Sequence, residues 1–60
     1  MSYELYHEQL RYTERPYSWE LIPARPKESQ YRIRDKNDNA CGHATTSKDA
    51  QKAVDYLNSR

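Results

Sequence analysis

Cys41 and His43 are the residues of this chain best suited, by type and spacing, to nucleophilic or metal chemistry. On a strand, residues two positions apart point to the same side, so the thiol and the imidazole could meet. A nucleophile would also need an orienting group and an oxyanion pocket. Zinc would need about four ligands, and His7 is the one other soft candidate. We favour the alternative of a small buried thiol beside a polar surface imidazole. The chain is therefore predicted to be non-enzymatic, without a catalytic residue, cofactor, metal or small-molecule substrate.

A second group of residues suits contact with nucleic acid, because it combines positive charge with an aromatic ring. Two arginines alternate on one strand and could meet phosphates while a neighbouring tyrosine stacks on a base. Two lysines one helical turn apart could extend that surface. The competing interpretation is a solvated sheet face whose arginine stems cover apolar surface. The candidate nucleic-acid site comprises Tyr31, Arg32, Arg34, Lys48 and Lys52.

The distribution of charge argues against a dedicated nucleic-acid domain. Ten basic and nine acidic side chains give a net charge of +1. Residues 11–36 carry seven basic and four acidic side chains, whereas residues 1–10 have a charge of −2 and residues 37–60 a charge of zero. Domains dedicated to nucleic acid are much more basic. Nucleic-acid binding is therefore the alternative function.

Tyrosine is abundant, with six tyrosines and one tryptophan in 60 residues. Rings in the second half of the chain, together with Trp19, are expected to supply core area that the few aliphatic residues lack. The tyrosines near the N-terminus exceed what so small a core can absorb, and exposed aromatic rings anchor protein interfaces. The expected core rings are Trp19, Tyr31 and Tyr56, and the expected protein-binding or self-association surface is Tyr3, Tyr6 and Tyr12.

The length of the chain allows one domain, near the lower limit for a core held by apolar packing alone. Only seven of 60 residues are Leu, Ile or Val, which is typical of a marginal fold or of one completed by a partner. The single cysteine excludes an internal disulfide, and no apolar run is long enough for a signal peptide or a membrane span. We therefore expect a cytoplasmic chain, away from membranes, that binds a protein partner, a second copy of itself, or both.

The clearest element is a C-terminal helix over residues Thr46–Asn58. From Ala50 to Leu57 the apolar residues recur at i, i+3, i+4 and i+7, which forms one apolar stripe. Thr46 followed by Asp49 fits the capping pattern that satisfies orphan amides at a helix start.

Alternating apolar and polar residues predict strands elsewhere. Residues 17–22 place Trp19 and its neighbours on one face, and residues 31–34 repeat the pattern. The Asp- and Asn-rich residues 35–39 predict a hairpin turn. Residues 40–45 then form the returning strand, whose small side chains leave room for the helix.

The start of the chain is ambiguous. Tyr3, Tyr6 and Leu10 are spaced for a helix over residues 2–14, which is the interpretation we favour. A disordered or partner-ordered arm comes next. A short strand with Tyr3 and Leu5 alternating is weaker than the helix, because the alternation stops at His7. These elements predict an α+β fold with a small three-stranded antiparallel sheet, a C-terminal helix packed on one face and an optional N-terminal helix (α-β-β-β-α).

The domain assignment follows from the same elements. Residues 1–15 are expected to form an N-terminal arm or short helix, and residues 16–60 a ββ(β)α domain.

The hairpin and the helix carry one family resemblance. The residues are Tyr31, Ile33, Asp35, Asn37 and Asn39 at alternate positions, then Ser47, Asp49, Ala50, Val54, Leu57 and Asn58. With the strand at Trp19, this pattern over residues 17–60 resembles one common in small uncharacterised phage and prophage proteins. That family usually has glycine in the hairpin, where this chain has Asp38 and Asn39. The resemblance implies an accessory protein that binds and alters a host or phage factor, with no catalytic residues.

The expected element order is also similar to the double-stranded-RNA-binding fold. Lys48 and Lys52 match that family's second helix, which opens with adjacent lysines and a core alanine. Asp49 stands where the second lysine belongs and Gln51 where the alanine belongs. The resemblance implies RNA binding, and the acidic departure removes a phosphate contact.

Overall fold

The computed structural model describes residues 3–60, and it has a four-stranded antiparallel sheet with one helix packed across a single face. The sheet order is β1-β4-β3-β2. In chain order the elements are β1 (Tyr3–Leu5), α1 (His7–Leu10), β2 (Ser18–Leu21), a short 3-10 turn (Lys27–Ser29), β3 (Tyr31–Arg34), β4 (Ala40–Ala44) and α2 (Ser47–Ser59).

The prediction of three strands was wrong, because the start of the chain adds a fourth. Tyr3–Leu5 pairs antiparallel with β4, and the predicted helix over residues 2–14 shrinks to His7–Leu10. The N-terminal segment is thus an edge strand followed by one helical turn, and the element order begins with a strand. Alternation of Tyr3 and Leu5 was the sequence signal for it, and pairing with β4 supplies the hydrogen bonds that so short a strand cannot make alone.

Cross-strand register sorts the side chains onto two faces, because residues directly opposite each other share a face. Two apolar rows run across the face under α2, and we call them the inner rows: Leu21, Tyr31, Ala44 and Tyr3, then Trp19, Ile33, Gly42 and Leu5. A charged row runs across the opposite face, and we call it the outer row: Glu20, Arg32, His43 and Glu4. The prediction that both β3 arginines point away from the core agrees with this register.

The core lies between the inner rows and α2. The predicted stripe of Ala50, Ala53, Val54 and Leu57 is buried, and its last three members pack with Ile33. Burying a side chain such as Leu57 completely contributes about 2 kcal/mol to stability. Apolar packing therefore orients α2 across the sheet.

The ends of α2 are both satisfied by side chains. The hydroxyl oxygen of Thr46 accepts from the Asp49 amide at 3.2 Å, which confirms the predicted start of the helix. At the other end, the Arg15 guanidinium donates to the carbonyl oxygens of Asn58 and Arg60, each at 3.1 Å. A positive group there complements the helix dipole.

The β3–β4 hairpin is built around a buried carboxylate. Asp35 accepts hydrogen bonds from the backbone amides of Glu14, Asn37 and Asn39 at 2.8–3.0 Å. Asp38 takes the left-handed backbone conformation, with φ of 67°, which aspartate tolerates better than most residues. The predicted turn is confirmed, and its carboxylate also ties the N-terminal segment to the sheet.

Across residues 3–60, no helix has the length and apolar character needed to span a membrane.

Candidate protein-binding edge

The structure places Cys41 and His43 in different environments. Cys41 has no residue directly opposite it on β3, because a bulge interrupts the register there, and its side chain lies in the core. His43 belongs to the outer row, and its Nδ1 lies 2.8 Å from the Tyr6 hydroxyl. Burial raises the pKa of the Cys41 thiol to about 11, and the negative charge of Asp35 adds to the shift. The thiol is therefore protonated at neutral pH and a poor nucleophile.

A metal centre has no ligand set in the part of the chain that the structure describes. No three or more His, Cys, Asp or Glu side chains of residues 3–60 are grouped so that they could hold an ion.

The five candidate nucleic-acid residues do not share one surface. Arg32 and Arg34 project from the outer face of the sheet. Tyr31 belongs to an inner row and packs edge-to-face on Trp19, with ring centroids 5.4 Å apart. Lys48 and Lys52 are exposed on α2, which covers the inner face. The lysines and the tyrosine therefore cannot extend the arginine surface.

The two arginines are also neutralised by carboxylates. Arg32 lies 2.7 Å from Asp38 and 3.9 Å from Glu20, while Arg34 lies 3.1 Å from Glu20 and 3.5 Å from Asp38. The hydrogen bond from Arg32 lowers the pKa of Asp38 and raises the pKa of Arg32. A phosphate arriving at this face would compete with two carboxylates for the same guanidinium groups.

The three N-terminal tyrosines also have separate environments. Tyr3 is half-buried against the core, Tyr6 is half-buried beside His43, and Tyr12 is 77% exposed after α1.

The expectation that Tyr56 is a core residue was wrong, since it is 50% exposed. Tyr56 lies at the margin of the α2 stripe, above β1, where no further strand covers it.

The two edges of the sheet differ in how well they are protected. The amide of Ile22 donates to Gln30 at 2.7 Å, so the backbone groups of Ile22 point toward β3. Because these directions alternate along a strand, the backbone groups of Trp19 and Leu21 in β2, and of the preceding Tyr17, point away from β3. The Asn58 side chain occupies the first of these positions, accepting from the Tyr17 amide at 2.7 Å and donating to its carbonyl at 3.2 Å. Side-chain occupancy of this kind blocks strand addition.

A second α2 side chain contacts the ring of Trp19 and leaves its backbone groups uncovered. The Trp19 indole N–H donates to the Gln51 side chain at 3.0 Å. Pro16 and Pro23 flank the strand and remove backbone donors on either side. The β2 edge is therefore blocked at Tyr17 and bounded by a proline at each end.

The β1 edge has no such protection in the described chain. The amide of Tyr6 donates to Cys41 at 2.8 Å, so the backbone groups of Tyr6 point toward β4. By alternation, those of Glu4 also point toward β4, and those of Tyr3 and Leu5 point outward. Among residues 3–60, no side chain donates to or accepts from these outward groups. They form a template for another strand.

An open groove accompanies this free edge. Tyr3, Leu5 and Tyr56 provide its apolar surface, and Glu4 and His7 complete the lining. Its volume is about 580 Å³, enough for a few side chains. The free backbone groups and the groove form one continuous surface, which we call the β1 edge.

Part of this surface was predictable from the sequence. Tyr3 was predicted as a binding residue, whereas Leu5 and Tyr56 were not. The alternation of Tyr3 with Leu5 was a usable signal for an edge strand, and Tyr56 follows Ala53 by three residues at the margin of the stripe. The hydrogen bonds between Asn58 and the backbone of Tyr17 join residues far apart in the chain, so no local pattern predicts them.

A scan against protein-family models gave no match, and searches of curated proteins and of solved structures gave none. The resemblances to phage accessory proteins and to the double-stranded-RNA-binding fold therefore rest on the residues alone.

Proposed function

We propose that this chain is a non-catalytic protein-binding module that adds an extended segment of a partner protein to the β1 edge. The observation that carries the proposal is a contrast between the two sheet edges. Asn58 occupies the outward backbone groups of Tyr17 beside β2, whereas no side chain of residues 3–60 occupies those of β1, which lie beside an apolar groove. Natural proteins protect exposed edges. An edge left open next to half-buried aromatic rings suits strand addition, in which main-chain bonds give affinity and side-chain pockets give specificity.

A second copy of the chain is the alternative occupant of this edge. A two-fold axis that pairs the outward groups of Tyr3 with those of Leu5 would bring Glu4 opposite its own copy. Like charges directly opposite each other destabilise a strand pair. We therefore propose a different protein as the main partner, with homodimerisation as the weaker mode.

The wider role we propose is that of an adaptor or inhibitor of the phage accessory type, acting by occupying a partner's strand. A cytoplasmic setting suits it, since Cys41 is a free thiol.

Nucleic-acid binding is the competing proposal, and it has less support. The ion pairs of Arg32 and Arg34 with Glu20 and Asp38 leave their cluster electrically neutral. A gel shift at low salt that disappears on charge reversal at Arg32 and Arg34 would favour it over strand addition.

Strand addition is testable by chemical synthesis, which a chain of 60 residues permits. N-methylation of Leu5 removes an outward donor while keeping the side chain. The matched control is N-methylation of Trp19, which removes an outward donor from the β2 edge. Peptides selected from a randomised library against the unmodified chain should bind the Leu5-methylated chain at least tenfold more weakly and the control unchanged.

Two results would contradict this proposal. One is a selection that enriches no peptide, and the other is a set of enriched peptides that bind the Leu5-methylated chain as well as the unmodified one. Circular dichroism of both methylated chains establishes that the fold is intact.

A further inference from the structure

We infer that the segment accepted by the β1 edge carries a lysine or arginine between two apolar residues. This inference rests on the proposed function and deepens it, because it assigns the chemistry of the partner strand position by position. It follows from extending the rows of the sheet by one strand, since each side chain of an added strand would lie next to the last member of a row.

The outer row ends in an exposed acid, Glu4. Its sequence across the sheet is Glu20, Arg32, His43 and Glu4, and the Arg32 guanidinium lies 3.9 Å from Glu20. Glu4 is exposed at the open end, and no basic side chain of residues 3–60 forms an ion pair with it. The residue that an added strand places opposite Glu4 should therefore be basic.

The surrounding charge favours the same assignment. Residues 1–10 have a net charge of −2, from Glu4 and Glu8. At low ionic strength this acidic end attracts a basic segment and repels an acidic one.

The inner rows end in apolar side chains. Tyr3 and Leu5 are half-buried against the core, and Tyr56 stands beside them as the wall of the groove. Residues opposite Tyr3 and Leu5 on an added strand would enter this groove. Their side chains should be apolar, and β-branched residues fit a half-buried pleated surface best.

The test compares two fluorescent probes that differ at one residue. The basic probe is Ser-Gly-Thr-Val-Lys-Val-Thr-Gly-Ser, and the acidic probe has glutamate in place of lysine. Against the unmodified chain at low ionic strength, the basic probe should bind about fivefold more tightly, the order expected when an opposed like-charge pair is replaced by an opposite-charge pair.

Charge reversal on the protein identifies the residue responsible. Glu4→Lys should reverse the preference, so that the acidic probe binds more tightly. Glu8→Lys is the matched control, because it makes the same charge change at an exposed residue of α1 outside the groove lining. The control should weaken the preference slightly and leave its direction unchanged.

Three outcomes would overturn the inference. If both probes bind the chain equally, or if Glu4→Lys keeps the original preference, the charge assignment fails while strand addition stands. If neither probe binds, and library selection also yields no peptide sensitive to methylation at Leu5, the proposed function fails together with the inference.

Discussion

Asp35 is the polar residue on which most of the hairpin depends. Burial alone would raise the pKa of this carboxyl, but hydrogen bonds from Asn39, Glu14 and Asn37 outweigh that effect and lower the pKa to about 2. The ordinary value is 3.8. The unfolded chain therefore binds a proton at higher pH than the folded chain does, and folding is favoured wherever the carboxyl is ionised.

The first prediction concerns acid. The contribution of Asp35 to the free energy of unfolding should be complete above about pH 4 and be lost as pH falls toward 2. Asp38, whose pKa Arg32 lowers, should add a smaller loss in the acid range. Asp35→Asn should lower stability at neutral pH and flatten the acid dependence, because an amide cannot accept from three amides as a carboxylate does.

Urea unfolding between pH 2 and pH 7 provides the measurement. Asp55→Asn, at an exposed residue of α2, is the control that should behave like the unmodified chain. A full acid dependence persisting in Asp35→Asn would show that Asp35 is not its source.

The second prediction concerns the reactivity of Cys41. The pKa of about 11, against an ordinary 9.0, leaves roughly 100-fold less thiolate at pH 8. Burial in the core further blocks access. Ellman's reagent should therefore react slowly with the native chain and at the rate of a free thiol in urea. Rapid modification without loss of the circular dichroism signal would contradict a core position for Cys41.

Strand β4 attaches β1 to the rest of the sheet, since it pairs with both β1 and β3. The small side chains of β4 were expected to leave room for α2. At Gly42 the closer neighbour is β1, because a Cβ there would collide with the carbonyl oxygen of Glu4 and lie 3.1 Å from the Cα of Leu5. Glycine is needed here for close approach of two backbones.

The third prediction follows from that approach. Gly42→Ala should displace β1 and cost about 2 kcal/mol of stability, as overpacking does. The amide of Tyr6, which donates to Cys41, should then exchange with solvent faster than it does in the unmodified chain, while the amide of Ile22, which donates to Gln30, should keep its rate. Thr45→Ala, beyond the end of β4, should leave both stability and exchange unchanged. An unchanged Tyr6 amide in Gly42→Ala would argue against tight β1–β4 pairing.

The fourth prediction concerns the Asn58 side chain, which occupies the backbone groups of Tyr17 beside β2. Asn58→Ala should free the backbone groups of Tyr17 and create a second open edge. Head-to-tail pairing of β1 with β2 of another copy then becomes available, so sedimentation should show concentration-dependent association. Asn37→Ala, whose side chain is exposed in the hairpin, is the control. If Asn58→Ala associates no more than the unmodified chain does, Asn58 does not protect the edge.

The elements that could be predicted are those whose signals are local. Helix α2 was predictable because stripe and cap both lie within Thr46–Leu57, and the hairpin because Asp35 caps its own turn. Strand β1 was missed in favour of a helix because three residues carry too little periodicity and their pairing partner lies far along the chain. The bulge at Cys41 likewise depends on register between strands.

For the molecule as a whole, the sheet has a charged outer face and an apolar inner face covered by α2. This separation weakens the case for nucleic-acid binding, because it divides the five candidate residues between the two faces. The predicted nucleic-acid residues include one arginine pair that was placed correctly on a sheet face. Residue types alone could not show that α2 covers the opposite face, or that Glu20 and Asp38 pair with the arginines. The three N-terminal tyrosines differ in burial, with Tyr3 packed against the core and Tyr12 exposed, and their role in binding stays a prediction.

The fifth prediction is the most direct test of strand addition at the β1 edge, and its measurement is amide hydrogen exchange with and without the basic probe. At a saturating concentration of probe, the outward amides of Tyr3 and Leu5 should exchange more slowly, because they donate to the added strand. The amides of Trp19 and Leu21 at the β2 edge should exchange at their original rates. Protection at β2, or exchange at Leu5 that the probe leaves unchanged, would contradict the account.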